Sequence, residues 1–323
     1  MIADKRILIT GGAGLVGSHI ADLLVCERPA EIRILDNFVR GRRDNLSWAA
    51  ANGPVSVVEG DIRDRALVRR SMDDVNIVFH QTAIPAAQCT EEPRLALEVL
   101  AEGTFNVLEA AVRAGVQKVV AASSASVYGF ADEFPTTERH HPYNNGTLYG
   151  AAKAFEEGLL RSFNSRYDLP YVALRYFDVY GPRMAICGTN TAVLIRWMEQ
   201  IANGQTPVIF GDGTQTMDLV HAHDVARANL MAAKASVSEH TFNVASGTET
   251  TLNASAELLA RIMGAPLLLE HRPERRVDPV PRRLASTRRA KDLLGFEAMV
   301  SLEQGLKGLV EWWKQQALGI RAA

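Results

Sequence analysis

Short apolar runs alternate with longer amphipathic stretches through the first half of the chain. The runs predict β-strands at 7–9, 32–35, 55–58, 75–79, 118–122 and 171–174. The longer stretches predict helices at 18–25, 94–114 and 149–167. Strands that alternate with helices form parallel βαβ units, because a parallel neighbour needs a crossover connection. The pattern therefore predicts an α/β fold built on a doubly wound parallel sheet of the Rossmann type.

The pattern changes after Gly181-Pro182, where apolar runs become sparse and connections longer. It predicts helices at 191–204, 225–235, 251–264 and 302–317 and one strand at 208–210. Residues 271–283 contain three prolines and five arginines, which indicates an ordered loop whose positive charge requires a functional explanation. We therefore expect a larger sheet unit over 1–180 and a smaller α+β lobe over 181–323, with some chain crossing back.

The charge balance favours a small-molecule partner. Of 323 residues, 35 are basic and 37 acidic, and a net charge of −2 gives no long-range attraction to nucleic acid or to an anionic membrane. No apolar run approaches the ~20 residues that span a bilayer, and we expect no signal peptide. Cys26, Cys89 and Cys187 are odd in number and widely spaced, which argues against disulfides and a metal cluster and for the cytoplasm.

A glycine-rich string links the first predicted strand to the first helix. Residues 11–17, Gly-Gly-Ala-Gly-Leu-Val-Gly, contain Gly12-x-Gly14-x-x-Gly17 and Gly11-x-x-Gly14-x-x-Gly17. Glycine permits a tight turn and a close approach of the backbone to a pyrophosphate, and the N-terminus of the next helix offers unpaired N–H groups. The string predicts a dinucleotide site.

Asp36 ends the second predicted strand, 19 residues beyond Gly17. An acidic side chain at this spacing accepts both hydroxyls of an adenosine ribose and repels a 2′-phosphate, which favours NAD over NADP. Three arginines that follow weaken this preference: Arg40, Arg42 and Arg43.

Two acidic positions allow a second interpretation. Asp36 is alternatively a turn residue that caps Asn37-Phe38. Asp61-Ile62, just after the third predicted strand, either contacts adenine or caps the next helix.

A tyrosine and a lysine are spaced to share one helix face. Tyr149 and Lys153 lie four residues apart at the start of the predicted helix 149–167. A phenol with a pKa of about 10 is a poor base at neutral pH, and lowering its pKa by ~3 takes about 4 kcal/mol. A neighbouring ammonium and a positive cofactor ring supply such stabilisation. A hydroxyl from Ser124 would complete a site for a sugar alcohol or ketone.

With these motifs in order, the chain resembles the extended short-chain dehydrogenase/reductase superfamily, and within it the nucleotide-sugar epimerases typified by UDP-galactose 4-epimerase. The motifs are collinear with the family over nearly all of 1–315. They are TGGAGLVG at 10–17, Asp36-Asn37, Asp61-Ile62, HQTA at 80–83, SSASVYG at 123–129, Tyr149-x-x-x-Lys153, LRYFDVYGP at 174–182, GDG at 211–213 and VHAHDVA at 220–226. Such a set is specific for the family but not for the substrate.

The resemblance implies a tightly bound NAD in the first unit and a nucleotide-diphosphate sugar, foremost a UDP-sugar, in the second. It assigns cofactor contacts to Gly11, Gly14, Leu15, Val16, Gly17, Asp36, Asn37, Asp61, Ile62, Thr82, Ala83, Tyr149, Lys153 and Tyr176. It assigns substrate contacts to Ser124, Ser126, Asp178, Val193, Phe210, Arg275 and Arg282. It also implies a homodimer through 94–114 and 149–167, although inward packing predicts the same apolar pattern.

The activity that the resemblance implies is inversion of C4 of a nucleotide-linked hexose. Tyr149 takes the proton of the C4 hydroxyl, Lys153 tunes Tyr149 and binds the nicotinamide ribose, and Ser124 hydrogen-bonds the sugar oxygen. The C4 hydride passes to NAD⁺, and the 4-keto sugar is reduced again on its other face. The alternatives are a reductase or dehydrogenase with net redox change, and a non-catalytic dinucleotide-binding protein, against which the three retained catalytic groups argue.

The chain departs from the family pattern at several positions. Ala125 and Ser126 stand where 4,6-dehydratases carry acidic residues, so we do not expect a dehydratase. Asp178 replaces an Asn near the substrate diphosphate, where a carboxylate repels phosphate unless it is paired. Met217 replaces an Arg that the family directs at the diphosphate, which leaves Arg275 and its arginine neighbours to compensate.

Two further positions bear on the cofactor and the sugar. Leu100 stands where many relatives have an Asn near the cofactor. Arg282 falls near the family's gate residue beside the hexose. We hypothesise that Arg282 or Arg183 holds a substrate carboxylate, which would make a uronic-acid nucleotide the substrate.

Overall fold

The computed structural model describes residues 2–186, 192–273 and 280–322, with side chains to Gln316 in the last helix. Its strands are β1 (Arg6–Thr10), β2 (Glu31–Asp36), β3 (Val55–Glu59), β4 (Ile77–His80), β5 (Lys118–Ser124), β6 (Tyr171–Tyr176), β7 (Asp178–Tyr180), β8 (Val208–Phe210), β9 (Thr216–Met217), β10 (Leu219–His221), β11 (His240–Val244), β12 (Thr250–Thr251) and β13 (Glu270–Arg272). Its helices are α1 (Leu15–Val25), α2 (Ser47–Asn52), α3 (Arg65–Ser71), α4 (Ala86–Glu91), α5 (Pro93–Ala96), α6 (Thr104–Ala114), α7 (Leu148–Tyr167), α8 (Val193–Ala202), α9 (Ala222–Lys234), α10 (Leu252–Met263), α11 (Arg288–Leu294) and α12 (Leu302–Ala322). A π-helical segment, Leu97–Gly103, joins α5 to α6, so the predicted helix 94–114 is a composite.

The main sheet has seven parallel strands in the order β3-β2-β1-β4-β5-β6-β11. The predicted doubly wound parallel sheet is therefore confirmed, with each of the six predicted strands in it. Strand order reverses between β1 and β4, because the chain leaves β1 towards β2 on one side and leaves β4 towards β5 on the other. In sheets of this kind a crevice opens at the carboxyl ends of the strands where the order reverses.

Both faces of the sheet are covered, which explains why its strands read as continuous apolar runs. Successive side chains of a strand point to opposite faces. In β1, Ile7 and Ile9 pack into one core with Ile20 of α1. Leu8 packs into the other core with Leu108 of α6 and Leu160 of α7.

The second lobe has a core of its own between α8, α10 and α12. Trp197, Met198, Leu259 and Leu309 are buried in it. Short two-stranded sheets border this core: β7 pairs with β10 and β8 with β13 in parallel, and β9 pairs with β12 in antiparallel fashion. The predicted helices of this lobe are present with shifted ends, and His271 and Arg272 of the expected loop lie in β13.

The seventh strand, β11, is missing from the sequence-based prediction. It pairs with β6 from His240 opposite Val172 to Val244 opposite Tyr176. The chain after residue 180 thus returns to the main sheet, and the division into units at 180 stays a prediction. Among the described residues, no helix combines the length and the apolar character needed to cross a membrane.

Candidate active site

A cleft of about 460 Å³ opens along the carboxyl ends of β1, β2, β4 and β5. Every residue that the resemblance assigned to the cofactor lines it: Gly11, Gly14, Leu15, Val16, Gly17, Asp36, Asn37, Asp61, Ile62, Thr82, Ala83, Tyr149, Lys153 and Tyr176. The structure therefore brings these fourteen residues, drawn from six segments of the chain, to one elongated site.

The first and last glycines of the string have no room for a side chain. Gly11 has a φ of +65°, and a Cβ there would lie 2.9 Å from the backbone of Thr82. A Cβ on Gly17 would lie 2.5 Å from the carbonyl oxygen of Gly11. Gly14 caps α1 without a side-chain hydrogen bond, so the first N–H groups of the helix are left for a ligand. Both features suit a bound diphosphate.

Asp36 is 7% exposed and ends β2 beside this string. Its Oδ2 accepts the N–H of Ala13 and its Oδ1 accepts the N–H of Phe38, each at 2.9 Å. Capping the turn and binding a ribose are compatible for Asp36, because each carboxylate oxygen accepts more than one hydrogen bond. Burial raises the pKa of Asp36.

The three arginines after Asp36 have different surroundings. Arg42 pairs with Asp44 at 3.1 Å, and Arg43 pairs with Glu59. Arg40 lines the cleft.

Asp61 does not cap the next helix. The N-cap of α3 is Asp64, whose Oδ1 accepts the N–H of Leu67 at 2.9 Å. Asp61 instead accepts two hydrogen bonds from the guanidinium of Arg63, at 2.9 and 3.0 Å, one from the backbone N–H of Arg63 at 2.9 Å, and one from the amide of Asn37 at 3.0 Å. The hydrogen bond from Arg63 lowers the pKa of Asp61 to about 2, so a fixed carboxylate faces the cleft.

Tyr149 and Lys153 lie on the first two turns of α7. The side chain of Thr147 caps this helix by accepting the N–H of Gly150 at 3.1 Å. The Nζ of Lys153 is 6.0 Å from the centroid of the Tyr149 ring. Lys153 is 1% exposed, and its Nζ donates to the carbonyl of Ala122 at 3.0 Å. The predicted pair thus shares one helix face within the cleft.

Ser124 ends β5 next to this pair. Its Oγ accepts the N–H of Ser126 at 3.1 Å, and its side chain lowers the pKa of Tyr149. Burial raises the pKa of Tyr149, while the charge of Lys153 and the hydroxyl of Ser124 lower it. With the protein's own charges burial prevails, so the pKa of Tyr149 lies above its ordinary value and not below it.

A carboxylate beside Lys153, that of Glu156, is absent from the sequence-based prediction. Glu156 is 3% exposed, and its Oε2 accepts a hydrogen bond from the Nζ of Lys153 at 2.8 Å. The signal was its spacing, since a residue three positions after Lys153 shares its helix face.

Tyr176 ends β6 at the floor of the cleft. Its hydroxyl donates to Oε1 of Gln81 at 2.9 Å and accepts from Nδ2 of Asn229 at 2.8 Å. Thr82 and Ala83 follow Gln81 directly after β4, where His80 is held between Thr10 at 2.7 Å and Thr104 at 3.0 Å.

The residues assigned to the substrate are more dispersed. Asp178 begins β7, Val193 begins α8 and Phe210 ends β8. None of the described members of that set lines the cofactor cleft, although Val179 and Ala192, their neighbours in the chain, do. Arg275 lies outside the described residues.

The departures from the family pattern have structural counterparts. Asp178 pairs with Arg283 at 2.9 Å, which meets the condition that a carboxylate near a diphosphate be neutralised. Met217 is partly buried and packs against the core of the second lobe. Leu100 is fully buried in the sheet core, whereas the adjacent Val99 lines the cleft.

The two arginines proposed for a substrate carboxylate already bind carboxylates of the chain. Arg282 donates to Glu249 from Nε at 2.7 Å and from Nη2 at 2.9 Å, and stacks 4.4 Å above the ring of Phe134. Arg183 pairs with Asp22 at 2.6 Å. A uronate would therefore have to share or displace these partners.

Comparisons with known proteins identify the family of the chain. A model described as the NAD dependent epimerase/dehydratase family matches residues 7–245. The chain is 34% identical over 315 residues to a UDP-glucose 4-epimerase of Mycolicibacterium smegmatis, covering 97% of this chain and 99% of that protein. It is 31% identical over 327 residues to a UDP-N-acetyl-alpha-D-glucosaminuronate decarboxylase of Bacillus cytotoxicus, covering 96% and 98%. The structure of a UDP-glucose 4-epimerase of Thermotoga maritima with UDP-glucose is similar with a TM-score of 0.90 and 34% identity, over 97% of this chain and 99% of that one. The chain therefore belongs to the NAD-dependent epimerase/dehydratase family.

Proposed function

We propose that this protein is an NAD-dependent nucleotide-sugar epimerase that inverts C4 of a hexose linked to a nucleoside diphosphate. One observation carries the proposal: Tyr149 and Lys153 line the same cleft as the glycine string and Asp36, and Ser124 follows Ser123 of that lining at the end of β5. A dinucleotide held along this cleft places its reactive ring near the phenol.

The cleft suits NAD in shape and in chemistry. The glycine string supplies backbone N–H groups for the diphosphate, Asp36 has acceptor capacity for a ribose, and Lys153 lines the same cleft. NAD supplies, when bound, the redox chemistry that oxidises a sugar alcohol and reduces the resulting ketone. We propose that it stays bound through the catalytic cycle.

Side chains of the protein transfer the proton and bind the sugar. Tyr149 takes the proton of the C4 hydroxyl onto its phenolic oxygen and later returns it. Lys153 stabilises the phenolate by its charge, and Ser124 holds the sugar oxygen by a hydrogen bond. Because burial raises the pKa of Tyr149, the reaction depends on the positive charge of Lys153.

We propose that the second lobe holds the nucleotide. Phe210 at the end of β8 offers a ring for the base, and the Asp178–Arg283 pair joins β7 to the segment before α11, where the diphosphate would pass. A UDP-sugar is the first substrate to test. Ala125 and Ser126 provide no carboxylate for elimination across C5 and C6, which argues for epimerisation over dehydration.

We further propose a cytoplasmic homodimer. Large apolar side chains remain exposed on the π-helical segment, α6 and α7: Leu97 is 52% exposed, Phe105 45% and Phe155 52%. Two copies of this surface pack into a four-helix bundle and remove these side chains from water.

The decisive experiment is a substrate panel. Purified protein is incubated with UDP-, dTDP-, GDP- and CDP-hexoses and with a UDP-uronate, and products are read by NMR. Inversion at C4 without added cofactor is the expected result. A stoichiometric change in the absorbance of reduced nicotinamide would instead identify the reductase or dehydrogenase alternative, and loss of carbon dioxide would identify a decarboxylase.

Tyr149→Phe tests the assigned base. The variant is expected to lose activity by about 10²-fold or more, while the dinucleotide affinity stays close to wild type, because the ring keeps its place and loses only the proton acceptor. Substantial residual turnover would contradict this assignment.

A further inference from the structure

Glu156 is a buried carboxylate that the reaction proposed above does not use. Its side chain is 4% exposed and that of Lys153 is 2% exposed, and the two meet at 2.8 Å. The second oxygen of Glu156, Oε1, is buried and accepts no hydrogen bond from the described residues. A carboxylate with one oxygen in a salt bridge and the other unsatisfied is costly to keep ionised.

The charges around Glu156 come from several elements. On α7, Lys153 faces it directly, Tyr149 lies one turn before Lys153, and the carboxylate of Glu157 is adjacent. From α4, the buried thiol of Cys89 faces both Lys153 and Glu156. From β4, His80 lies within the field of Lys153.

Glu157 is neutralised by partners of its own. Its carboxylate accepts two hydrogen bonds from Arg175 at 2.7 and 2.8 Å and one from the hydroxyl of Ser123 at 2.6 Å. Lys153 is therefore the cation that balances Glu156, and the same cation has to stabilise the phenolate of Tyr149.

The ammonium of Lys153 thus stabilises the charged forms of two acids, Glu156 and Tyr149. Burial raises the pKa of Glu156 to about 7 despite Lys153, and the charge of Glu156 raises the pKa of Tyr149. Groups that interact in this way titrate as a pair, so a proton on Glu156 makes the phenolate of Tyr149 easier to form.

We propose that Glu156 is a positioning residue for this active site: it fixes the Lys153 ammonium beneath Tyr149 and, through its own ionisation, determines how much of that positive charge the phenol experiences. In the carboxylate state Glu156 shares the ammonium with Tyr149. In the protonated state it leaves the ammonium to Tyr149 alone. The proposal rests on the proposed function, since it assigns Tyr149 as the base.

Glu156→Gln tests the proposal, because glutamine keeps an oxygen for Lys153 and removes the charge. The phenolate absorbance of Tyr149 is titrated in the near ultraviolet as the difference between each protein and the same protein carrying Tyr149→Phe. We expect the midpoint of Tyr149 to fall by about one pH unit. The acid limb of the kcat/KM profile should move down with it, giving about tenfold more active enzyme below that limb, with KM little changed.

Glu157→Gln is the matched control. It removes a buried carboxylate from the next position of α7, but one that Arg175 holds. It should lower the melting temperature and leave the Tyr149 midpoint at its wild-type value. An unchanged midpoint in folded Glu156→Gln, or an equal shift in both variants, overturns the proposal.

If Glu156→Gln does not fold, NMR of wild-type protein labelled at the glutamate carboxyl carbons answers the same question: a carboxyl that titrates near neutral pH is expected, and one ionised down to the ordinary range of glutamate overturns the proposal. The absorbance titration needs no turnover, so failure of the epimerase assignment would appear in the substrate panel and not in these midpoints.

Discussion

Acid should destabilise the fold through His80, whose ring lies fully buried at the end of β4. Its two nitrogens meet the hydroxyls of Thr10 at 2.7 Å and Thr104 at 3.0 Å. A neutral imidazole has one donor and one acceptor, and two hydroxyls satisfy both. Burial and the charge of Lys153 lower the pKa of His80 from 6.5 to about 3.

The direction of the effect follows from proton binding. Below pH 6.5 the unfolded chain binds a proton at His80, whereas the folded chain does not. The free energy of unfolding therefore falls as the pH falls from 6.5 towards 3. One pH unit of difference in pKa corresponds to about 1.4 kcal/mol. The loss attributable to His80 is therefore about 3 kcal/mol at pH 4 and about 4 kcal/mol at pH 3, where the folded imidazole is itself half protonated.

The assay compares wild type with His80→Asn by urea unfolding between pH 7 and pH 4. At pH 7 the variant should be less stable by about 1–3 kcal/mol, because asparagine cannot satisfy both threonines. The deficit should shrink by about 3 kcal/mol at pH 4, since the variant has no imidazole to protonate. His141→Asn, at an exposed histidine, is the control and should follow wild type. A deficit independent of pH would refute the argument that burial keeps His80 neutral.

Two further predictions concern the cofactor loop and the exposed helices. Gly17→Ala places a Cβ 2.5 Å from the Gly11 carbonyl, so NAD affinity measured by calorimetry should fall at least about tenfold, whereas Gly158→Ala, whose Cβ meets nothing within 4 Å, should bind normally. Unaltered affinity in Gly17→Ala would contradict the tight packing of the loop. Phe155→Asp should give a monomer in sedimentation velocity, because it buries a charge in the proposed four-helix bundle, and Tyr143→Asp, at a side chain 86% exposed, should not change the sedimentation of the wild type.

The sheet and the cofactor cleft were predictable because their signals are local. A strand covered on both faces reads as an apolar run, and β1 gives Ile7-Leu8-Ile9 without interruption. The glycine string and Asp36 are recognised from spacing within one βαβ unit. Their positions around the cleft then follow from the topology of the sheet.

The strand β11 was not predicted, because its buried positions include polar side chains. Asn243 is fully buried, yet its amide donates to the carbonyls of Thr136 at 2.9 Å and Ser286 at 3.1 Å, and its oxygen accepts the hydroxyl of Tyr128 at 2.6 Å. These partners lie far away in the chain, so no local pattern indicates that the polar residue belongs in a core. The strand becomes recognisable only once those loops are in place.

Glu156 and Glu157 show the same limit at the active site. Adjacent glutamates on a helix usually indicate a solvated face, but both side chains here are buried. The cation for Glu156 is local, at Lys153, whereas the cation for Glu157 is Arg175 of β6. Spacing along α7 reveals the first partner and contains no information about the second.

The arginines of the second lobe show the same limit for recognition of the substrate. Arg183, Arg282 and Arg283 each pair with a carboxylate of the chain, so a count of basic residues overstates the positive charge that an incoming diphosphate meets. A guanidinium has five N–H donors, and the bond to Glu249 occupies only two of those of Arg282. Recognition of an anion at such a site therefore depends on which donors point away from the existing partner. That orientation is a property of the folded lobe, which is why the motifs identify the family and leave the sugar to experiment.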